Sequence, residues 1–188
     1  MAPLPSPADR TLQAVGARRR QPPAPSAREI VATLRQLVGD SPALVAVLDA
    51  DAVAGERHLL SAWAHLGRSR ARGGERLRDR SAEFALYVAG DDQLPRALAK
   101  VGVGERTERF VVVAERPLEL PAVVERFGLT VDPDAYPRAT TAATLDRLGF
   151  TEEERRAVPT TAWEGLVLER VALVDLAPAA GRGATPKT

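Results

Sequence analysis

The chain contains no cysteine, which excludes disulfide bridges and thiolate metal sites and is compatible with a reducing compartment. It carries two histidines, His58 and His65, and two lysines, Lys100 and Lys187, so arginine supplies nearly all of its positive charge. There is no G-x-x-x-x-G-K-[ST] phosphate loop, and Gly102-Val103-Gly104 is too short for a dinucleotide fingerprint. No apolar run approaches the ~20 residues that a bilayer crossing needs. The first residues lack the compact apolar centre of a secretory signal, so a cytoplasmic protein without membrane contact is expected. Net charge is only +1, so a role in binding nucleic acid would have to come from local charge.

What is present fits one globular domain. The length of 188 residues, with 45% hydrophobic and 27% charged side chains, is enough to bury a core. The pattern predicts an α+β fold: a single domain over residues 28–177 with a small mixed β-sheet packed with several helices. Residues 1–27 hold Pro3, Pro5, Pro7, Pro22, Pro23 and Pro25, which fix φ and remove donors; they are expected to form a disordered tail. Residues 178–188 are expected to form a second one.

Between the tails, hydrophobic spacing predicts a helix over 28–38, with Ile30, Val31, Leu34 and Leu37 inward and Gly39 as its stop. Residues 43–48 (ALVAVL) and 110–114 (FVVVA) read as buried strands. Helices are predicted over 55–66, with Leu59, Leu60, Trp63 and Leu66 inward, and over 75–89, closed by Gly90. Asp91 or Asp92 is expected to cap the next helix, where Pro95 is tolerated in the first turn. Residues 118–127 read as a helix before Gly128. Two capping boxes, Thr151-x-x-Glu154 and Thr161-x-x-Glu164, mark further helix starts, the second leading into a helix that is expected to turn into a strand near Leu173.

Catalytic chemistry finds little support. His58 and His65 lie seven apart on one predicted helix, but no third ligand is spaced to complete a metal site. Ser61, Ser69 and Ser81 sit in no nucleophile elbow. The carboxylates mostly alternate with arginine, the pattern of solvated ion pairs. The chain is therefore read as a non-enzyme, with no cofactor and no metal.

The arginine group differs. Arg68, Arg70, Arg72, Arg76, Arg78 and Arg80 face only Glu75 and Asp79 in the same stretch. Arg76 and Arg80, one turn apart on the predicted helix, are expected to project together. Guanidinium offers a planar fork of donors that suits phosphate and stacks on bases.

Four motifs in order carry a resemblance: D-A-x-x-V-A-G-x-R-H-L at 49–59, R-x-R-x-R-G-x-x-x-x-R-D-R-x-x-E at 68–83, L-Y-x-A-G-x-x-Q-L-x-x-A-L at 86–98, and L-V-L-E-R-V-A-L-V-D at 166–175. Together they resemble the KEOPS-complex subunit known as the PRPK-binding protein (TPRKB-like) family, in an archaeal style. The resemblance implies a non-catalytic accessory subunit that binds and regulates the small atypical kinase of the complex. It also implies help in recruiting tRNA, by its single-stranded 3′ CCA end, for threonylcarbamoyladenosine modification; other KEOPS subunits would be met indirectly. Carried over by position, Arg68, Arg70, Arg72, Arg76 and Arg80, with Gln93 near the Gly90 turn, would form the tRNA-binding side. The chain departs from the family at that turn, where Asp91 and Asp92 stand in place of arginine and would set a like charge against phosphate. Two other readings follow from the same residues: a kinase-binding regulator without tRNA binding, and a small-molecule enzyme, which would require a pocket at His58 or His65.

Overall fold

The β-branched run at 110–114 becomes the strand that organises the fold. The computed structural model describes residues 11–20, 29, 30, 32, 33, 36, 43–115 and 118–176. Four strands form one sheet: β1 (Leu12–Arg19), β2 (Val45–Asp49), β3 (Arg109–Glu115) and β4 (Leu129–Val131). Their order is β2-β3-β1-β4, and every neighbouring pair is antiparallel. The architecture is α+β, as the pattern predicts, but the sheet is purely antiparallel rather than mixed.

Strand alternation divides the core in two. Leu44, Ala46 and Leu48 of the β2 segment, with Val111 and Val113 of β3, point to one apolar cluster. Val45, Val47, Phe110, Val112 and Ala114 point to the other. Because both faces are covered, these strands read as continuous apolar runs. A fully buried Val or Phe in such a core contributes about 1.5–3 kcal/mol.

Five helices share the first face: α1 (Glu56–Ala71), α2 (Arg80–Ala89), α3 (Leu94–Val101), α5 (Ala142–Leu148) and α7 (Trp163–Leu173). On the second face α4 (Leu120–Arg126) packs with Ile30 against the sheet. The short α6 (Glu152–Arg156) opens with the expected capping box between Thr151 and Glu154. Helix α7 is preceded by a 3-10 turn at Thr160–Ala162. Its N-cap is Ala162, so the second expected box does not form; Glu164 instead accepts from Arg57 Nη1 at 2.8 Å. Beyond Leu173 the chain continues as a 3-10 turn, Val174–Leu176, and not as a strand.

The largest correction concerns the N-terminal segment. Leu12–Arg19, expected within a disordered tail, lies inside the sheet, paired to β3 along Leu12–Arg18 and to β4 along Ala17–Arg19. Its local apolar signal is weak, and its strand conformation comes from non-local pairing on both edges. Gly16 is required there: a Cβ would lie 2.4 Å from the backbone nitrogen of Tyr136 and 2.5 Å from the carbonyl of Asp132, where the 3-10 turn after β4 crosses the strand. The expected tail at 178–188, and most of the helix expected over 28–38, lie outside the described residues. Among the described residues no helix is long and apolar enough to cross a membrane.

Candidate functional site

Helix α1 is amphipathic and longer than its apolar pattern suggests. It buries His58, Leu59, Ala62, Leu66 and Ser69, whereas Leu60, expected inside, is 42% exposed. Past Ala71 the chain bends, and α2 starts where the Asp79 carboxylate accepts from the Ala82 amide at 2.9 Å. The helix therefore begins at Arg80, not near Glu75, and Arg76 lies in the bend.

This changes the arginine geometry. Arg76 and Arg80 do not project together. Arg80 turns towards β3 and pairs with Glu115, whose side chain is 1% exposed and also accepts from the Leu44 amide (3.1 Å) and Trp63 Nε1 (2.8 Å). Arg76 donates to the carbonyl of Val174. Arg70 donates from Nε to Glu83 at 2.8 Å and from Nη2 to the carbonyls of Leu77 and Arg78. Glu83 is fully buried and takes the Arg76 amide on its other oxygen at 3.0 Å. A buried carboxylate needs such donors, so Arg70, Arg76 and Arg80 tie the bend to the core.

Arg68, Arg72 and Arg78 are exposed. Neither Arg68 nor Arg78 has a side-chain partner among the described residues. Arg72, with a side chain 67% exposed, stands 3.9 Å from Asp175. Gln93 is exposed as well, at the N-cap of α3. The sequence-predicted set thus splits into an inward half and an outward half.

Asp175 gathers groups that the sequence does not connect. Its Oδ2 lies 2.7 Å from His65 Nδ1, and its Oδ1 accepts from the Tyr87 hydroxyl at 2.7 Å. The His65 and Tyr87 rings stack with centroids 6.1 Å apart. Burial works to raise the Asp175 pKa, yet hydrogen bonds from His65 and Tyr87, with the charges of His65 and Arg72, hold it below the ordinary range. Burial pushes the Tyr87 hydroxyl up. His65 and Asp175 are separated by 110 positions, so no local pattern could join them.

His58 is structural. Its Nδ1 accepts from the Ala54 amide at 3.1 Å, which leaves Nε2 to donate to the carbonyl of Val88 at 2.9 Å. Burial pushes its pKa down to about 4, against the opposing pull of the Val88 carbonyl. The two histidines serve different partners and share no ligand position. Among the described residues no cluster of three or more His, Asp or Glu side chains could hold a metal.

The Gly90 turn forms as expected, at φ 58° and ψ 40°, with the stem of Arg170 laid across it. Neither aspartate caps α3. Asp91 instead accepts from the Gln93 amide, from Arg96 Nε and from Lys100 Nζ, each at 3.0 Å. Burial opposes its ionisation, but these donors win and bring its pKa down to about 2. Asp92 pairs with Arg96 at 3.0 Å. Two cations therefore match the two carboxylates, and the turn presents little of the negative charge that the sequence suggests.

A cavity of about 320 Å³ lies away from the bend, lined by Leu12, Ala14, Gly16, Glu56, Leu59 and Tyr136 among others. Burial, followed by the charge of Glu56, pushes the Tyr136 hydroxyl up to about 12. The cavity includes neither histidine. No protein-family model matches the chain, and no curated protein matches it.

Proposed function

We propose that this chain is a non-catalytic accessory subunit of the KEOPS type, which binds and regulates a small atypical kinase and helps to recruit tRNA by its 3′ CCA end. One observation carries the reading: the four motifs behind the resemblance, far apart in sequence, touch one another. His58 of the first motif donates to Val88 of the third. Arg76 of the second reaches Val174 of the fourth. Tyr87 of the third donates to Asp175 of the fourth, and Arg170 of the fourth covers Gly90 of the third. Residues that shape one interlocked helical layer are those a family would keep together, which supports the resemblance on physical grounds.

The tRNA-facing residues of this proposal are Arg68, Arg72 and Gln93, while Arg70, Arg76 and Arg80 position the bend from within. The kinase-facing surface of this proposal is the end of α7 and the 3-10 turn that follows it, where Leu173 and Leu176 are 58% and 78% exposed. The inward commitment of three arginines favours a second reading, a kinase regulator that does not bind tRNA. Salt-dependent tRNA binding separates the two. Under the first reading, affinity falls steeply with salt, and Arg68→Glu with Arg72→Glu reduces the slope of log K against log[salt] by about 1.5. Absence of binding at low salt would leave the second reading standing.

A further inference from the structure

The cavity of about 320 Å³ that lies away from the bend exists because the sheet leaves its floor low. Leu12, Ala14 and Gly16 fall on one face of β1, where Ala14 and Gly16 stand beside Val113 and Val111 of β3. Where β3 fills its face with valine, β1 offers only a methyl group and a hydrogen. The 3-10 turn Pro133–Ala135 crosses at Gly16 and brings Tyr136 over the strand. The start of α1 supplies Glu56, Leu59 and Leu60 from the other side. Leu60, 42% exposed, is thereby a wall of the cavity.

Two polar side chains interrupt this apolar lining, the Glu56 carboxylate and the Tyr136 hydroxyl. They lie close enough that the charge of Glu56 adds to burial in pushing the hydroxyl pKa up to about 12. The hydroxyl therefore stays protonated at neutral pH, with its oxygen lone pairs as acceptors. Among the described residues neither side chain has a hydrogen-bond or ion-pair partner. The charged residues next to them along the chain are already matched: Arg57 with Glu164 at 2.8 Å, Asp134 with Arg138 at 3.3 Å, and Asp132 with Arg18. Glu56 leaves one uncompensated negative charge beside an apolar hollow. The amino-terminal end of α1 carries a partial positive charge of about half a unit, which does not cancel it.

Such a site selects by sign and by shape. An apolar body of few atoms covers Ala14, Leu59 and Leu60, and an ammonium drawn out of water needs both a counter-charge and an acceptor. A carboxylate or phosphate would meet Glu56 as a like charge. We propose that this cavity binds a small organic ammonium ion, a primary amine on a compact apolar body, with the Glu56 carboxylate as its counter-charge and the Tyr136 hydroxyl as a hydrogen-bond acceptor. The volume is at the low end of the about 300–1,000 Å³ typical of small-molecule sites, which restricts the ligand to a compact one. The inference is independent of the accessory-subunit reading, which names no small ligand, and its failure would leave that reading untouched.

The test is a two-dimensional NMR titration of the full chain with phenethylammonium, with its neutral counterpart 2-phenylethanol, and with the anion 3-phenylpropanoate. The amide resonances of Ala14, Gly16 and Leu60 should shift saturably with phenethylammonium. 2-Phenylethanol should bind about fivefold more weakly, the effect of one ion pair at a solvent-exposed carboxylate, and 3-phenylpropanoate more weakly again. Glu56→Gln, a change at an exposed position, should bring the amine and the alcohol to the same affinity. Equal affinities for amine and alcohol in wild type overturn the proposal, as does a preference for the amine that Glu56→Gln leaves intact. Saturable shifts confined to residues away from the cavity overturn it too, and so does the absence of saturable shifts with all three compounds.

Discussion

Replacing Glu83 with glutamine should cost more than any change at the exposed arginines, although Glu83 lies in the same motif. Its side chain is fully buried and accepts from Arg70 Nε at 2.8 Å and from the Arg76 amide at 3.0 Å. Glutamine keeps the shape but turns an amide donor towards one of those two donors and leaves the Arg70 charge, 19% exposed, without its counter-ion. Breaking a buried pair from one side costs about 3–5 kcal/mol, and the partial exposure of Arg70 places this case near about 3 kcal/mol. For a domain of this size that is a fall in Tm of about 6–12 °C. Urea unfolding should show a lower midpoint at unchanged slope. Arg68→Gln, with no partner to lose, should stay within about 0.5 kcal/mol of wild type. A loss below about 1 kcal/mol for Glu83→Gln would refute the claim that Arg70 and Arg76 are held inward rather than offered to a ligand.

Three further outcomes follow from the packing. Gly16→Ala should destabilise by at least about 3 kcal/mol in a chemical denaturation experiment, because its Cβ would meet backbone atoms at 2.4 and 2.5 Å that cannot move independently. Glu115→Gln should lower the unfolding free energy by about 3 kcal/mol and alter Trp63 fluorescence, since that indole nitrogen donates to the lost carboxylate. His58 has a folded pKa of about 4, below its ordinary value, so its contribution is present above about pH 6.5 and is lost as pH falls towards 4. Wild type should lose about 2 kcal/mol from this group between about pH 8 and pH 5, a difference that His58→Gln removes.

The strongest local signals proved legible. The run at 110–114 is β3, the box at Thr151 and Glu154 forms, and Gly90 closes α2 in the left-handed region. What escaped the sequence depends on partners distant along the chain. Strand β1 reads as an arginine-bearing tail because its buried positions, Gly16 and Ala17, carry almost no apolar side chain; it is a strand because β3 and β4 flank it. The start of α2 differs from its expected place for another reason. Gly73-Gly74 breaks the helical pattern, and Asp79 was available as a cap, so the start at Arg80 had a local signal that the spacing of Arg76 and Arg80 obscured. Glu83, Glu115 and Asp175 could not be told from solvated acids by composition, since burial and donors from other elements distinguish them.

The central claim is that this chain acts by docking on a small atypical kinase. Size-exclusion co-elution of the full chain with the KEOPS kinase from the same genome tests it directly. The account predicts a stoichiometric complex that Leu173→Asp with Leu176→Asp disrupts while leaving the domain folded. Two separate peaks with wild-type protein at micromolar concentration would contradict it.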